Sequence, residues 1–161
     1  MPTLEQRNIA YLDIETDWHG NPTIIGIYRN RKMLQLVDED VTKKNLLKNL
    51  EGIDTIYTYW GLRFDIPVIR RTLGIDLKKF FNVYDLADYC HRKGFYGGLK
   101  AVEKRLGIQR KTKDMDGRDA IRLWYKYKKQ GDKNALRLLL IYNREDTVNL
   151  YVLRKRMRLS S

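Results

Sequence analysis

The first half of the chain contains short apolar runs bounded by turn residues, a pattern typical of β-strands. Residues 8–15 form an apolar run with two acids at its end, and we expect them to be a buried central strand. Residues 24–28 and 33–37 flank a polar turn, which predicts two antiparallel strands. Further strands are predicted at residues 55–59 and 82–84.

Between and after these strands, apolar residues recur at helical spacing. Asp40 or Thr42 is placed to cap a first helix, which is expected to end before Gly52. A second helix is predicted at residues 65–73. From Asp85 onward the pattern is helical throughout, which predicts helices at residues 86–92, 99–106 and 118–130 and a long final helix from Asp132.

This order of elements predicts an α/β fold with a five-stranded mixed sheet flanked by α-helices. The chain has 161 residues, and domains commonly have roughly 100 to 200 residues. We therefore expect residues 1–161 to form a single domain. The only cysteine, Cys90, excludes an intramolecular disulfide.

The charge of the chain favours an anionic partner. Lysine and arginine number 32 against 20 acids, which gives a formal net charge of +12. Such a balance is typical of proteins that bind nucleic acid. No apolar stretch approaches the roughly 20 residues that cross a membrane. The first ten residues also lack the layout of a signal peptide, so we expect a cytoplasmic protein without membrane association.

Two acids lie at the end of the first predicted strand. Asp13 and Glu15 are two positions apart, so the period of a strand places both carboxylates on one face. Leu12 and Ile14 then point to the other face. Two like charges at the end of a buried strand are costly unless cations neutralise them, which suggests a metal site. Acid pairs at strand ends also face solvent without a ligand, so the pair alone leaves both interpretations open.

Three further residues have both a chemical and a structural interpretation. Asp65 begins a predicted helix, where an acid commonly serves as an N-cap or first-turn residue. Asp146 lies in the inward-facing stripe of the final helix, where a carboxylate needs a metal or an arginine partner. Tyr142 lies one helical turn before Asp146, so it projects beside that carboxylate or packs in the core.

Three segments, in this order and at these intervals, resemble the exonuclease motifs of the DnaQ-like superfamily of four-acid 3′-to-5′ exonucleases: YLDIET, YTYWGLRFDIP and YNREDTVNL. The tyrosine four residues before the last aspartate resembles the tyrosine branch of that superfamily. Within this branch the chain is most similar to the YprB-type ribonuclease H-like domain, through GGLKAVEKRLGI and GRDAIRLWYKYKKQGD. The resemblance covers residues 9–153.

The resemblance implies a ribonuclease H-like fold and a metal-dependent exonuclease. It assigns Asp13, Glu15, Asp65 and Asp146 to two divalent metal ions, with Asp13 bridging them. Carboxylate oxygens suit Mg²⁺ or Mn²⁺. Tyr142 is assigned to orient the attacking water. The implied reaction is hydrolysis of single-stranded DNA, or alternatively RNA, from its 3′ end to nucleoside 5′-monophosphates.

Side chains near these motifs are candidates for contact with nucleic acid. Aromatic rings beside the motifs could stack on bases: Trp18, Trp60 and Phe64. Basic residues near the motifs could contact phosphates: Arg63, Lys100 and Arg110. The alternatives are core packing for the rings and a solvated surface for the charges. Trp60 also departs from the resemblance, because family members usually carry an asparagine before this glycine.

Two other functions are compatible with these features. A catalytically silent nucleic-acid-binding module would keep the fold and the basic surface without turnover, although the complete set of acids argues against it. An endonuclease of the ribonuclease H or resolvase kind would use the same two-metal chemistry. Such an endonuclease would not need Tyr142, so this tyrosine favours the exonuclease.

Overall fold

Five strands form one mixed sheet in the computed structural model, which describes residues 8–159. The strands are β1 (Ile9–Thr16), β2 (Pro22–Arg29), β3 (Lys32–Val37), β4 (Thr55–Thr58) and β5 (Asn82–Asp85). Their order across the sheet is β3-β2-β1-β4-β5. β2 is antiparallel to both neighbours, whereas β1, β4 and β5 are parallel to one another. The predicted mixed sheet, its antiparallel pair and its central first strand are confirmed.

The helices follow the predicted order. They are α1 (Lys43–Asn49), α2 (Asp65–Leu73), α3 (Leu86–Arg92), α4 (Leu99–Arg105), α5 (Gly117–Gln130) and α6 (Lys133–Leu159). Short 3₁₀ turns occur at Asp38–Asp40 and Leu77–Lys79. Within residues 8–159, no helix has both the length and the apolar character that crossing a membrane requires.

Capping residues explain where several helices begin and end. The Thr42 hydroxyl accepts a hydrogen bond from the Asn45 N–H at 3.1 Å, which caps α1. Asp40 lies in a 3₁₀ turn instead, so this alternative cap is wrong. Gly131 has a φ of 66° and separates α5 from α6, because this left-handed conformation costs glycine little.

The sheet carries helices on both faces. Leu12 and Ile14 of β1 pack in an apolar cluster that includes Leu46 of α1 and Ile66 of α2. The opposite face of β1 is covered by α6, which crosses β1, β2 and β3. Because side chains alternate along β1, Leu12 and Ile14 point into the apolar cluster with α1 and α2. Asp13 and Glu15 point to the opposite face, which α6 covers. The predicted α/β fold with helices flanking the sheet is confirmed.

A glycine allows α6 to approach the sheet closely. Gly26 of β2 pairs with Asp13 of β1 and lies beneath α6. A Cβ atom at this position would overlap the Thr147 Oγ1 and Asn143 Oδ1 atoms of α6. The missing side chain therefore sets the depth at which α6 packs, and with it the distance from α6 to Asp13.

Candidate metal centre

Three acids from β1 and α6 converge on one side of the sheet. Asp13, Glu15 and Asp146 each offer a carboxylate oxygen, and these oxygens all lie within 4.8 Å of one another. The strand period brings the first two together, and the packing of α6 across β1 brings the third. Such a group of hard oxygen atoms can hold a divalent cation.

Asp65 lies beside this group without belonging to it. Its Oδ2 atom accepts a hydrogen bond from the Ile14 N–H at 3.2 Å, so the buried carboxylate is held against β1. Phe64 occupies the N-cap position of α2, so the N-cap interpretation of Asp65 is wrong, whereas its place in the first turn is confirmed. Burial raises the pKa of Asp65 to about 8, and the negative charges of Asp85 and Asp146 add to this effect.

The acids perturb one another strongly. Loss of hydration is the largest cause that raises the pKa of Asp13 well above its usual range, followed by the charges of Asp146 and Glu15. The pKa of Glu15 rises for the same reasons, burial first and then Asp146 and Asp65. The Glu15 Oε1 atom is also buried without a hydrogen-bond partner. Buried carboxylate oxygens of this kind require a proton or a cation.

Arg110 is the cation nearest to Asp146 among the ion pairs in residues 8–159. Its guanidinium donates a hydrogen bond to Asp146 Oδ1 and a second one to Glu103 Oε1 at 3.1 Å. The Arg110 side chain is only 3% exposed. In this conformation two acids engage the guanidinium, and its contact with phosphates stays a prediction. The sequence left either a metal ion or an arginine as the partner of Asp146. The structure pairs Asp146 with Arg110 and also places it in the acid group.

Asn143 fixes the orientation of Asp13. Its buried side-chain amide donates to Asp13 Oδ2 at 3.2 Å and to the Asp13 carbonyl oxygen at 3.3 Å. The Asn143 Oδ1 atom accepts in turn from Gln35 Nε2 at 3.0 Å. The sequence places Asn143 in the inward-facing stripe of α6 next to Tyr142, but the stripe does not indicate which carboxylate it contacts.

Tyr142 of α6 is buried beside two basic side chains. The Lys100 ammonium lies 5.2 Å from the centre of the tyrosine ring, and the Arg110 guanidinium carbon lies 5.5 Å from it. Burial raises the pKa of the Tyr142 hydroxyl, and the charges of Asp146 and Glu15 raise it further. The phenol therefore stays protonated and keeps a proton that it can donate.

A second acid of α6 anchors the segment that carries Arg110. Glu145 accepts hydrogen bonds from the backbone N–H groups of Lys111 and Thr112, at 2.6 and 2.9 Å. The Thr112 hydroxyl donates to the same carboxylate at 2.8 Å. On the far side, Asn149 donates to Glu103 at 3.3 Å. These polar residues were missed by sequence reasoning, because each acts through a partner that is distant along the chain.

One open cleft borders the acid group, and a second is lined by Arg110, the ion-pair partner of Asp146. The first, of about 460 Å³, is lined by Glu15, Phe64 and Arg118. The second, of about 560 Å³, is lined by four basic residues, Lys100, Lys104, Arg110 and Lys113, and by the acids Glu103 and Asp114. The basic side chains of the second cleft suit phosphates.

The aromatic candidates are accessible to solvent, and Phe64 lines the same cleft as Glu15. Trp18, Trp60 and Phe64 are between 43% and 58% exposed, so none of them is a core residue. Arg63 is exposed as well, and Lys100 is half-buried against Tyr142. The core-packing alternative for the rings is therefore wrong. Their contact with nucleic acid stays a prediction.

Trp60 has an unusual backbone conformation. Its φ is 58°, in the left-handed region that asparagine adopts far more readily than tryptophan. The Trp60 N–H donates to the buried Asp85 carboxylate at 2.7 Å, which holds the turn in place. The next residue, Gly61, leaves no space for a Cβ atom beside Thr58. The geometry of this turn therefore suits an asparagine followed by a glycine, the pair usual in the family that the segment resembles.

The comparisons with known proteins agree with this geometry. A search of curated proteins finds no significant match. A family model of the RNase H superfamily matches residues 10–158, which contain β2 to β5, helices α1 to α5 and nearly all of β1 and α6. The chain therefore belongs to the RNase H superfamily and has its α/β fold, with the acid group on the central strand and the last helix.

Proposed function

We propose that this chain is a metal-dependent 3′-to-5′ exonuclease of the DnaQ-like tyrosine branch, of the YprB type. Membership of the RNase H superfamily supports a nuclease-type hydrolase that acts on nucleic acid. The observation that carries the proposal is the convergence of Asp13, Glu15 and Asp146. The substrate we propose is single-stranded DNA, with RNA as the alternative.

The donor atoms fit divalent metal ions. The three clustered acids provide only oxygen ligands, which Mg²⁺ and Mn²⁺ prefer. The unpartnered Glu15 Oε1 atom is available as a ligand without breaking a hydrogen bond. We assign Asp13, Glu15 and Asp146 to two such ions and place Asp65 at the edge of the same site. When bound, the ions supply Lewis-acid activation of water and neutralise charge on the phosphate.

The remaining residues of the site act on orientation and protons. Asn143 holds the Asp13 carboxylate toward the acid group. We assign the protonated Tyr142 hydroxyl to orienting the attacking water, because burial and the neighbouring acids keep its proton in place. Arg110 holds one oxygen of Asp146 and thereby leaves the other oxygen of that carboxylate for a metal ion.

The clefts and rings suggest how a strand is held. Phe64 and Glu15 line the same cleft, so a terminal base stacked on Phe64 would lie beside the acid group. Trp18 and Trp60 are also exposed, and we assign them to further contacts with the strand, together with Arg63, which precedes Phe64 in the chain. We assign Lys100 to the phosphates of the second cleft, next to Tyr142.

One substrate set tests the proposal. Linear and circular single strands of DNA and RNA, the linear ones labelled at the 5′ end, are incubated with Mn²⁺ and then with EDTA. We expect ladders of shortened products from the linear strands, intact circles and no reaction in EDTA. Linearised circles would indicate an endonuclease instead, and unchanged strands would indicate a silent binding module.

Matched variants connect the reaction to the site. Asp146→Asn removes a charge from the acid group, and we expect it to abolish the ladders. Glu39→Gln removes an exposed acid from the 3₁₀ turn at Asp38–Asp40, and we expect it to digest the linear strand at the parental rate. If the two variants were equally active, the acid group would not be the catalytic centre.

A further inference from the structure

Four tyrosines form a row across neighbouring strands, away from the acid group. The strand register pairs Tyr28 with Tyr11, Tyr11 with Tyr57, and Tyr57 with Tyr84. Successive ring centres are 6.2, 5.5 and 5.7 Å apart. Tyr11 is buried, whereas Tyr84 on the edge strand β5 is 54% exposed. The row therefore ends in an aromatic surface that is rigidly backed by the core.

A cavity of about 360 Å³ opens at the exposed end of this row. Its aromatic lining consists of Tyr57, Tyr84 and Tyr89, and its apolar lining of Leu62, Val83 and Leu86. This volume falls within the roughly 300 to 1,000 Å³ of small-molecule sites. The metal centre is separate, because Arg154 at this cavity follows Asp146 by about two turns of α6, roughly 12 Å along the helix axis.

The charged residues of the cavity favour an anion. Arg92, Arg154 and Arg158 line it together with Asp85 and Asp88. Arg154 is fixed, since it donates to the Tyr11 hydroxyl at 3.1 Å and its guanidinium carbon lies 4.3 Å from the centre of the Tyr57 ring. The Asp85 carboxylate accepts hydrogen bonds from the N–H groups of Trp60 and Ala87, so its charge is directed toward the backbone.

We propose that this cavity binds one nucleotide, with its base against the tyrosine surface and its phosphate near the arginines. Planar rings stack on tyrosine faces, and guanidinium groups pair with phosphate oxygens in a matching planar geometry. The nucleotide comes either from a free nucleoside monophosphate or from a single strand bound to the same molecule. This site is additional to the proposed exonuclease centre and does not require it to be active.

Isothermal titration of the full chain in EDTA tests the proposal, because the chelator removes any contribution from metal. The probes are thymidine 5′-monophosphate, thymidine, inorganic phosphate and a twelve-residue oligothymidylate. We expect the monophosphate or the oligonucleotide to bind, and thymidine and phosphate each to bind at least about tenfold more weakly, because each lacks half of the recognition. Binding of the monophosphate identifies the free nucleotide as the ligand, and binding of the oligonucleotide alone identifies the strand.

Substitutions place the binding in this cavity. We expect Tyr84→Ala to weaken binding about tenfold, as loss of one stacking ring does, and Arg92→Gln to weaken it as well. Tyr96→Ala removes an exposed tyrosine outside the cavity and should leave affinity unchanged. Asp146→Asn should also leave it unchanged, which separates this site from the metal centre. Circular dichroism checks that each variant is folded. If Tyr84→Ala does not fold, Arg92→Gln alone tests whether the cavity binds the nucleotide.

Two results would overturn the proposal. In the first, neither nucleotide probe binds at millimolar concentration. In the second, Asp146→Asn removes the binding while Tyr84→Ala and Arg92→Gln, both folded, retain it. Neither result bears on the ladder assay with Mn²⁺, so failure of this site and failure of the exonuclease are distinguishable.

Discussion

Arg110 and Asp146 form a buried ion pair at the edge of the acid group, with Glu103 on the other side of the guanidinium. The pair places a positive charge beside three carboxylates that repel one another. Without Arg110, Asp146 and Glu103 would face each other with only the more distant charge of Lys100 near Asp146. The arginine therefore stabilises the site before metal binds.

Replacing Arg110 by methionine should destabilise the metal-free protein by about 3 kcal/mol, because it leaves buried acids without a partner. Added Mn²⁺ should recover more stability in Arg110→Met than in the parent, since the ion supplies the missing positive charge. Thermal unfolding in EDTA and in Mn²⁺ measures both effects. Arg122→Met, at an exposed pair with Asp119, is the matched control and should change little. Equal losses in the two variants would show that the Arg110 pair has no special role.

The stability of the metal-free protein should fall as the pH rises from about 5 to 8. The pKa of Asp65 is raised to about 8, and the pKa values of Asp13 and Glu15 are also raised. In this range the folded chain binds more protons than the unfolded chain, so raising the pH favours unfolding. Unfolding in EDTA across this range measures the slope.

Metal ions and one substitution serve as controls for this pH effect. Saturating Mn²⁺ should flatten the slope, because the ion stabilises the charged carboxylates. Asp65→Asn should also make it shallower, since it removes one group with a raised pKa. A metal-free protein that becomes more stable between pH 5 and 8 would contradict the electrostatic description of the site.

Gly26→Ala should impair the site without touching a carboxylate. The added Cβ atom would overlap Thr147 and Asn143, so α6 must move away from β2 and carry Asp146 with it. We expect a loss of stability of about 1 to 3 kcal/mol, as is typical of overpacking, together with weaker Mn²⁺ binding by titration. Gly117→Ala is the control, because nothing lies within 4 Å of its added Cβ atom. If Gly26→Ala bound Mn²⁺ as tightly as the parent, the close packing of α6 on β2 would not be what positions Asp146 for metal binding.

Trp60→Asn removes the exposed ring but keeps the backbone turn, so it tests the contribution of the ring alone. Asparagine tolerates the positive φ of this position, so the melting temperature should stay close to that of the parent. Loss of the exposed ring should raise KM for a single strand at least about fivefold, with kcat nearly unchanged, because stacking is worth roughly 1 to 3 kcal/mol. Phe80→Ala, which removes an exposed phenyl ring after the 3₁₀ turn at Leu77–Lys79, should leave KM unchanged. A fall in kcat alone would assign Trp60 to the chemical step.

Local patterns in the sequence predict the strands, the helices and the three acids that cluster in the structure. The period of β1 places Asp13 and Glu15 on one face, and the misplaced charge of Asp146 in an apolar stripe marks the third acid. Glycines after α2 and α5 mark helix ends, because both have the positive φ that ends a helix. These features depend on neighbours within a few residues, and a single sequence contains them.

The supporting contacts depend on pairs that are distant along the chain. Asn143 contacts Asp13 across 130 positions, and Arg110 contacts Asp146 across 36. Gly26 matters only because α6 crosses it, and no local pattern in β2 indicates that crossing. Arg110 is surrounded by basic residues in the sequence, so it resembles a surface cation until the fold buries it. Tertiary packing decided these roles.

The most direct test of the central claim is to measure the Mn²⁺ affinity of the parent and of the Asp146→Asn variant by isothermal titration calorimetry at constant pH. If Asp13, Glu15 and Asp146 share metal ions, the substitution should weaken Mn²⁺ binding by at least about tenfold while the variant stays folded. Equal Mn²⁺ affinity in the two proteins would contradict the claim that these carboxylates form the metal centre.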